Sequence, residues 1–189
     1  LTMFDLSWLL TKMNVIQETE TLEFKEAKNS FPKESNFTYC AALANEGGGQ
    51  LVLGVTDKKP RQVVGSNALA NTNKTVEEVF TKLNIRIQIQ ELQHPNGRVV
   101  VIYIPARPQG TPIVLDGRYL MRVGGSVTSM TPEQMKIIFE EGKPDFLDDV
   151  AMTGVYLKDV FELLDTKSFY SLMGVPYPSD PQEVVRKFI

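Results

Sequence analysis

Cys40–Asp57, CAALANEGGGQLVLGVTD, decides how the rest of the chain is read. An apolar-periodic segment ends at Asn45-Glu46, three glycines follow at Gly47–Gly49, and an apolar run, Leu51-Val52-Leu53-Gly54-Val55, closes at Asp57. Glycine just past a helix end supplies the left-handed conformation that lets the last carbonyls find partners. A short apolar run bounded by turn residues is a strand covered on both faces. The stretch predicts helix, C-cap, buried strand and turn, with Asp57 at the carboxyl end of a central strand, where α/β sheets place their sites. The same residues also read more plainly, as a turn in which Asp57 only precedes Lys58-Lys59-Pro60.

Working outward, Leu22 and Phe24 alternate with Glu23 and Lys25, which predicts a strand with an apolar and a charged face. Phe4, Trp8, Leu9 and Met13 fall at helical spacing and predict an opening helix packed on the body. Downstream, Arg61–Gly65 reads as a short strand, and Thr75-Val76-Glu77-Glu78 as a capping box opening a helix through Leu83. Ile85–Gln90 alternates as a half-buried strand, Asn96-Gly97 marks a hairpin, and Val99–Ile104 is a more buried strand. Asp116-Gly117 joins Ile113–Leu115 to Arg118–Val123, and Thr131-Pro132 starts a helix that Gly142 ends. The fold class is mixed α/β.

Composition then shifts. Lys143–Asp149 is acidic and carries Pro144, which predicts a domain over 1–142 and a helical appendage over 143–189. Helices are expected around Val160–Leu164, at Phe169–Met173 and from Asp180. The chain stops within an apparently helical segment, Lys187-Phe188-Ile189, which reads as leading to a further C-terminal module.

Charge and cysteine usage narrow the function. Residues 1–132 hold 14 Lys/Arg against 12 Asp/Glu, and residues 133–189 hold 6 against 11. That is not the strongly basic signature of an obvious nucleic-acid binder, so any basic surface is local and on the first part. No apolar run approaches membrane-spanning length and no signal peptide is visible, so a cytoplasmic protein is expected. One cysteine, Cys40, excludes an internal disulfide and a cysteine zinc cluster. The lone His94 precedes Pro95-Asn96-Gly97 and reads as a turn residue, not a catalyst.

Glu18, Glu23 and Asp57 form the one carboxylate constellation of interest. Three hard oxygen ligands suit Mg2+ or Mn2+, and metal-activated water hydrolyses phosphodiesters; solvated surface acids are the alternative. Lys25, Lys28, Lys58, Lys59, Arg61, Arg118 and Arg122 are candidate phosphate contacts, and equally read as ordinary surface charge. Gly124-Gly125-Ser126 could offer backbone N–H groups to an anion or form a tight turn. Gly47–Gly49 lacks the Lys-Ser/Thr of a P-loop, so these glycines do not argue for ATP.

Four separated motifs occur in order: Glu18-x4-Glu23-Phe24-Lys25; Ala44-Asn45-Glu46-Gly47-Gly48; Leu53–Asp57 with Val64-Gly65; and Tyr119–Ser126. Together they resemble the Schlafen AlbA_2 domain, over roughly Gln17–Glu141. The resemblance implies a mixed sheet flanked by helices and a link to nucleic acid. Positions matching an acidic triad of the Schlafen tRNA/rRNA endonucleases are Glu18, Glu23 and Asp57, and Lys25 matches the lysine after Glu-Phe. The tail is similar to the segment following this domain in bacterial proteins of transcriptional-regulator or ATP-binding type. The expectation is a nucleic-acid-binding, DNA-binding-type module of a bacterial transcriptional-regulator-like protein. The alternatives are a divalent-metal-dependent endoribonuclease and a non-catalytic regulatory or oligomerisation module. A homodimer would supply the second lobe that the two-lobed nucleases have.

Overall fold

Asp5 accepts a hydrogen bond from the Trp8 backbone N–H and so starts the first helix, Leu6–Met13 (α1). A short strand, Leu22–Lys25 (β1), leads through a loop into the helix Lys33–Asn45 (α2) and back into the strand Gly49–Leu53 (β2). The computed structural model describes residues 3–14, 19–141, 154 and 156–186. It divides the chain into two units, Leu1–Lys143 and Pro144–Ile189.

The three glycines each meet a separate requirement. Past α2, the Gly47 N–H bonds to the Ala44 carbonyl and the Gly48 N–H to the Leu43 carbonyl, with Gly47 at φ +90°. This is the paired bonding of a Schellman cap, which satisfies two of the carbonyls a helix end leaves open. Gly48 and Gly49 are set by close approach: an added Cβ would lie 2.7 Å from the Ile104 carbonyl oxygen at Gly48 and 2.1 Å from that of Thr21 at Gly49. The chain can therefore turn off the helix straight into the middle of a sheet.

The remaining elements of the first unit are the helix Thr72–Leu83 (α3), the strands Gln88–His94 (β3), Gly97–Ile104 (β4), Val114–Leu115 (β5), Arg118–Val123 (β6) and Ser126–Ser129 (β7), and the helix Pro132–Glu140 (α4). One sheet has the order β1-β2-β4-β3, with β1 and β2 parallel and the other pairs antiparallel. The second sheet is the antiparallel meander β5-β6-β7. Between them lies α2, which packs on both. Its Ala41, Ala42 and Ala44 are fully buried, and small side chains let two sheets approach one helix. Apolar partners come from the first sheet (Leu51, Leu53, Val100, Ile102) and the second (Leu115, Leu120). The part of the helix buried this way, Cys40–Ala44, is apolar all round instead of amphipathic, and the charges of α2 stay in its exposed first turn. The other face of the first sheet (Leu22, Phe24, Val52, Val99, Val101) is covered by Phe4 and by Leu9 of α1.

The mixed α/β architecture, the opening helix, both hairpins and the Thr131 N-cap with Pro132 at the first helical position are as the sequence predicts, and the structure adds that Thr131 and Gln134 form a capping box. Three details differ. Arg61–Gly65 contributes one bridge, Val55–Val63, instead of a strand. Asn71 caps α3, so the helix begins at Thr72 and Thr75–Glu78 lies inside it. Strand β3 starts at Gln88, opposite Tyr103, one residue short of the end of β4 at Ile104; Ile85 and Ile87 are buried ahead of it.

The second unit contains three short helices, Leu157–Leu163 (α5), Thr166–Leu172 (α6) and Pro181–Val185 (α7). Asp165 and Asp180 cap the last two, and Val160, Tyr170, Val184 and Val185 are buried. The expected helix stop at Gly142 and the terminal Lys187–Ile189 lie outside the described residues. Among the described residues no helix is long and apolar enough to cross a membrane.

The glycine geometry separates two kinds of substitution. Gly47→Ala meets open space and costs only the strain of its backbone angle, about 1–2 kcal/mol. Gly49→Ala collides with the Thr21 backbone and should destabilise by more than about 3 kcal/mol, beyond the usual single-substitution range. Chemical denaturation of both variants checks this; equal effects would show that the close approach at Gly49 is not a constraint.

Candidate functional site

The charged face of β1 turns inward. Leu22 and Phe24 face α1, so Glu23 and Lys25 point to the side occupied by α2 and the second sheet. Glu23 is fully buried, and its carboxylate meets the Arg122 Nη1 of β6 at 2.5 Å and the Lys25 Nζ at 2.5 Å. Both oxygens are held in close ion pairs, not aligned hydrogen bonds. Lys25 Nζ also donates to Asp57 Oδ2 at 2.8 Å. The chain of charges therefore runs Arg122, Glu23, Lys25, Asp57, from the core to the surface.

Tyr39 of α2 lines this chain. Lys25 Nζ lies 5.4 Å from its ring centroid and the Arg122 guanidinium carbon 5.8 Å. Arg122 Nη2 also donates to the carbonyls of Thr19 and Gly124, both at 3.4 Å. Burial alone would lower the pKa of Lys25, but the hydrogen bond to Asp57 and the close, negatively charged Glu23 carboxylate outweigh it. The net shift is upward, so Lys25 stays an ammonium at every physiological pH.

Other polar links fasten the second sheet to α2. Asn45 Nδ2 donates to the carbonyls of Ile113 and Leu120, and its Oδ1 accepts from the Ile113 N–H. Glu46 Oε1 accepts from the Arg122 N–H. Cys40 is buried in α2 with its thiol pushed up to about 12, which leaves it an unreactive packing group.

At the surface end of the charge chain, the carboxyl ends of β1 and β2 open into a groove of about 700 Å³. Lys25, Ala27, Phe31, Asp57, Lys58 and Gln62 are among its lining residues. Lys28 follows directly in the chain and is exposed. A smaller depression, of about 400 Å³, lies past Pro60 and is lined by Lys59, Arg61, Met13 and Asn14. Lys59 Nζ donates to the Asn14 carbonyl, and Arg61 lies over the Phe24 ring at 4.5 Å.

A model of the family described as Schlafen, AlbA_2 matches residues 18–131. The chain belongs to that family. No curated protein matches it. Among solved structures, the DIP2311 protein from Corynebacterium diphtheriae is similar with a TM-score of 0.49 and 23% identity, over 59% of this chain and 22% of that one. The N-terminal domain of a RecG-related protein from Nitrosomonas europaea is similar with a TM-score of 0.46 and 20% identity, over 69% of this chain and 94% of that one.

Within this AlbA_2 domain the structure sorts the residues singled out from sequence. Glu23 and Asp57 converge on Lys25. Glu18 lies outside the described residues. Among the described residues no group of three or more His, Cys, Asp or Glu side chains is placed to hold a metal. Where Glu23 and Asp57 meet, the Lys25 ammonium fills the space between them, so a divalent ion does not fit this donor set while Lys25 holds it. Lys28, Lys58, Lys59 and Arg118 are exposed. Arg122 is not a surface cation: it is 1% exposed and paired with Glu23, so it cannot reach a phosphate. The reason is long-range. The second sheet closes over the charged face of β1, and the alternation of Glu23 and Lys25 that suggests a solvated face carries no trace of that lid.

Gly124-Gly125 is a hairpin turn between β6 and β7. Its Gly124 N–H is already bonded to Glu20 Oε1 at 3.3 Å. Sequence reasoning missed Tyr39, Asn45 and Phe31. Asn45, a polar residue in an otherwise apolar helix end, is the one with a readable signal.

The buried pair yields a stability prediction. Removing one partner strands the other charge in the core, a loss of about 3–5 kcal/mol. Glu23→Gln and Arg122→Met should each destabilise by roughly that amount, while the double variant should recover a large part of it. A double-mutant cycle measured by denaturation checks this; additive losses would show that the two groups do not depend on one another.

Proposed function

We propose that the first unit binds the phosphate backbone of nucleic acid along the groove at the carboxyl ends of β1 and β2. In this reading it is the nucleic-acid-binding module of a bacterial transcriptional-regulator-like protein. The observation that carries it is the groove itself, an open depression with Lys58 in its wall, Lys28 beside it and Lys59 and Arg61 continuing the basic edge. Membership of the Schlafen AlbA_2 family supports a nucleic-acid-related role.

The chemistry fits a positioning surface more than a reader of bases. Lys25 is held by two carboxylates, so its charge is largely neutralised within the protein. Lys59 and Arg61 already donate to the Asn14 and Met13 carbonyls, so Lys28 and Lys58 are the groove's main cations for phosphates, and Glu26, 3.5 Å from Lys28, offsets one of them. One copy therefore offers few contacts, and a homodimer that set two grooves side by side would multiply them.

Two or three phosphate contacts imply that affinity falls about 10- to 50-fold between about 50 and 200 mM salt. Fluorescence anisotropy with labelled oligonucleotides measures this. Replacing Lys28 and Lys58 together with Glu should weaken binding and flatten the plot of log affinity against log salt by about two. Affinity independent of salt, or indifferent to both substitutions, refutes the reading and leaves a regulatory or oligomerisation module.

Convergence of Glu23 and Asp57 on one cation favours a second reading, a metal-dependent endoribonuclease in which these two and Glu18 hold Mg2+ or Mn2+. It requires Lys25 to release both carboxylates. Millimolar Mn2+ should then raise the melting temperature, because a ligand of the folded state alone stabilises it. The rise should be larger in Lys25→Met, where the competing ammonium is gone, and absent in Asp57→Asn. No metal response in either wild type or Lys25→Met disposes of the enzyme.

A further inference from the structure

We propose that the groove accepts an unpaired nucleobase stacked on Phe31, which makes the module a binder of single-stranded segments in preference to duplex. This deepens the phosphate-binding reading above and rests on it. Phe31 lines the groove and is only partly buried, so one aspect of its ring is open to a ligand. Tyr39 backs it, with ring centroids 6.3 Å apart and planes inclined by 28°. Lys25 and Arg122 lie over Tyr39 in turn, and both are fixed by Glu23. The Phe31 ring thus sits on an aromatic held by the buried charge chain.

The loop carrying Phe31 is also fixed at its root. Ala27 has φ 41°, an uncommon angle for a residue with a side chain, and its carbonyl accepts from Ser66 Oγ at 2.6 Å. The Lys28 carbonyl accepts from the Asn67 N–H at 2.8 Å, and the Lys25 carbonyl from the Gly54 N–H at 2.8 Å. An aromatic wall held before the ligand arrives loses little freedom on binding.

The rest of the lining matches a nucleotide. Ala27 and Pro60 add apolar surface, Gln62 and Thr56 are polar groups at the same wall, and Lys58 supplies a cation. The volume, about 700 Å³, falls in the range of small-molecule sites, which is about 300–1,000 Å³. A base in a duplex presents its edges in the grooves and keeps its faces in the stack, so Phe31 reaches a base face only in an unpaired strand. Stacking on an aromatic tolerates any base, because every base has a π-face.

The test compares three labelled oligomers of equal length on the full 189-residue chain: a single strand, the same strand made abasic, and a duplex. Anisotropy titrations are run with wild type, Phe31→Leu and the doubly substituted Lys28→Glu, Lys58→Glu protein. Phe31→Leu keeps apolar packing against Tyr39 but has no π-face, and its melting temperature verifies the fold. Wild type should bind the single strand about 10-fold or more above the abasic strand and the duplex. Phe31→Leu should lose that margin while holding the abasic strand as wild type does, and the lysine variant should weaken on all three. Phe31→Leu binding the single strand as tightly as wild type, with the lysine variant still weakened, overturns the base site alone. No measurable binding of any oligomer by wild type overturns both this inference and the phosphate reading beneath it.

Discussion

The ion pair between Glu23 of β1 and Arg122 of β6 ties together two sheets that share no strand. Both side chains are out of water, and Glu23 alone would be a strongly unfavourable core group. The pair forms only when α2 lies between the sheets and β6 presents Arg122 inward. Successive strand side chains point to opposite faces, so a slip of one residue in β6 would turn exposed Val123 inward and Arg122 outward. A pair like this contributes less net stability than its proximity suggests, because desolvation opposes the attraction. What it imposes is register. Asn45 acts in the same sense, since its three hydrogen bonds to Ile113 and Leu120 are satisfied in one placement of the meander.

The same chain of charges sets what the surface can do. Arg122 and Glu23 neutralise one another in the core, and Lys25 then shares itself between Glu23 and a half-exposed Asp57. Four formal charges leave almost no field at the mouth of the groove. An arriving phosphate meets Lys58 and Lys28 before it meets Lys25, and competes with Asp57 for the latter. An arriving dication meets an ammonium already seated between the carboxylates. The arrangement as it stands favours anions at the rim over cations at the centre.

Local chemistry made much of the fold legible. The run from Cys40 to Asp57 announces helix, cap and buried strand because glycine demand and apolar content are local properties. Asp116-Gly117 and Thr131-Pro132 likewise carry their geometry in adjacent residues. Placement of charge was not legible. The alternation at Leu22–Lys25 is genuine, but whether the second face meets water depends on β6, about a hundred positions later. Arg122 therefore read as a surface cation and Glu23 as a site carboxylate, when each is the partner of the other. A strand end was misplaced as well: β3 pairs with β4 only from Gln88 on, which no pattern in Ile85–Gln90 reveals.

The separation between motif and surface bears on how the family resemblance converts into function. The residues that make the sequence recognisable include Glu23, Asn45, Gly48 and Arg122, and each has a structural task that would hold them in place in a protein without catalysis. A match at these positions is evidence for the AlbA_2 fold and only indirectly for chemistry. The polar residues free to differ without cost to the core are those at the groove, Lys28, Lys58 and Gln62, while Phe31 beside them packs partly against the core. None belongs to the quoted motifs, and the loop holding Lys28 is tied to the rest of the fold by a backbone hydrogen bond from Asn67 to the Lys28 carbonyl. Specificity carried on loops over a fixed scaffold is the common arrangement for binding proteins. If the groove binds as proposed above, the buried charge chain would serve binding at one remove, by fixing Tyr39 and through it the aromatic wall on which a base would lie.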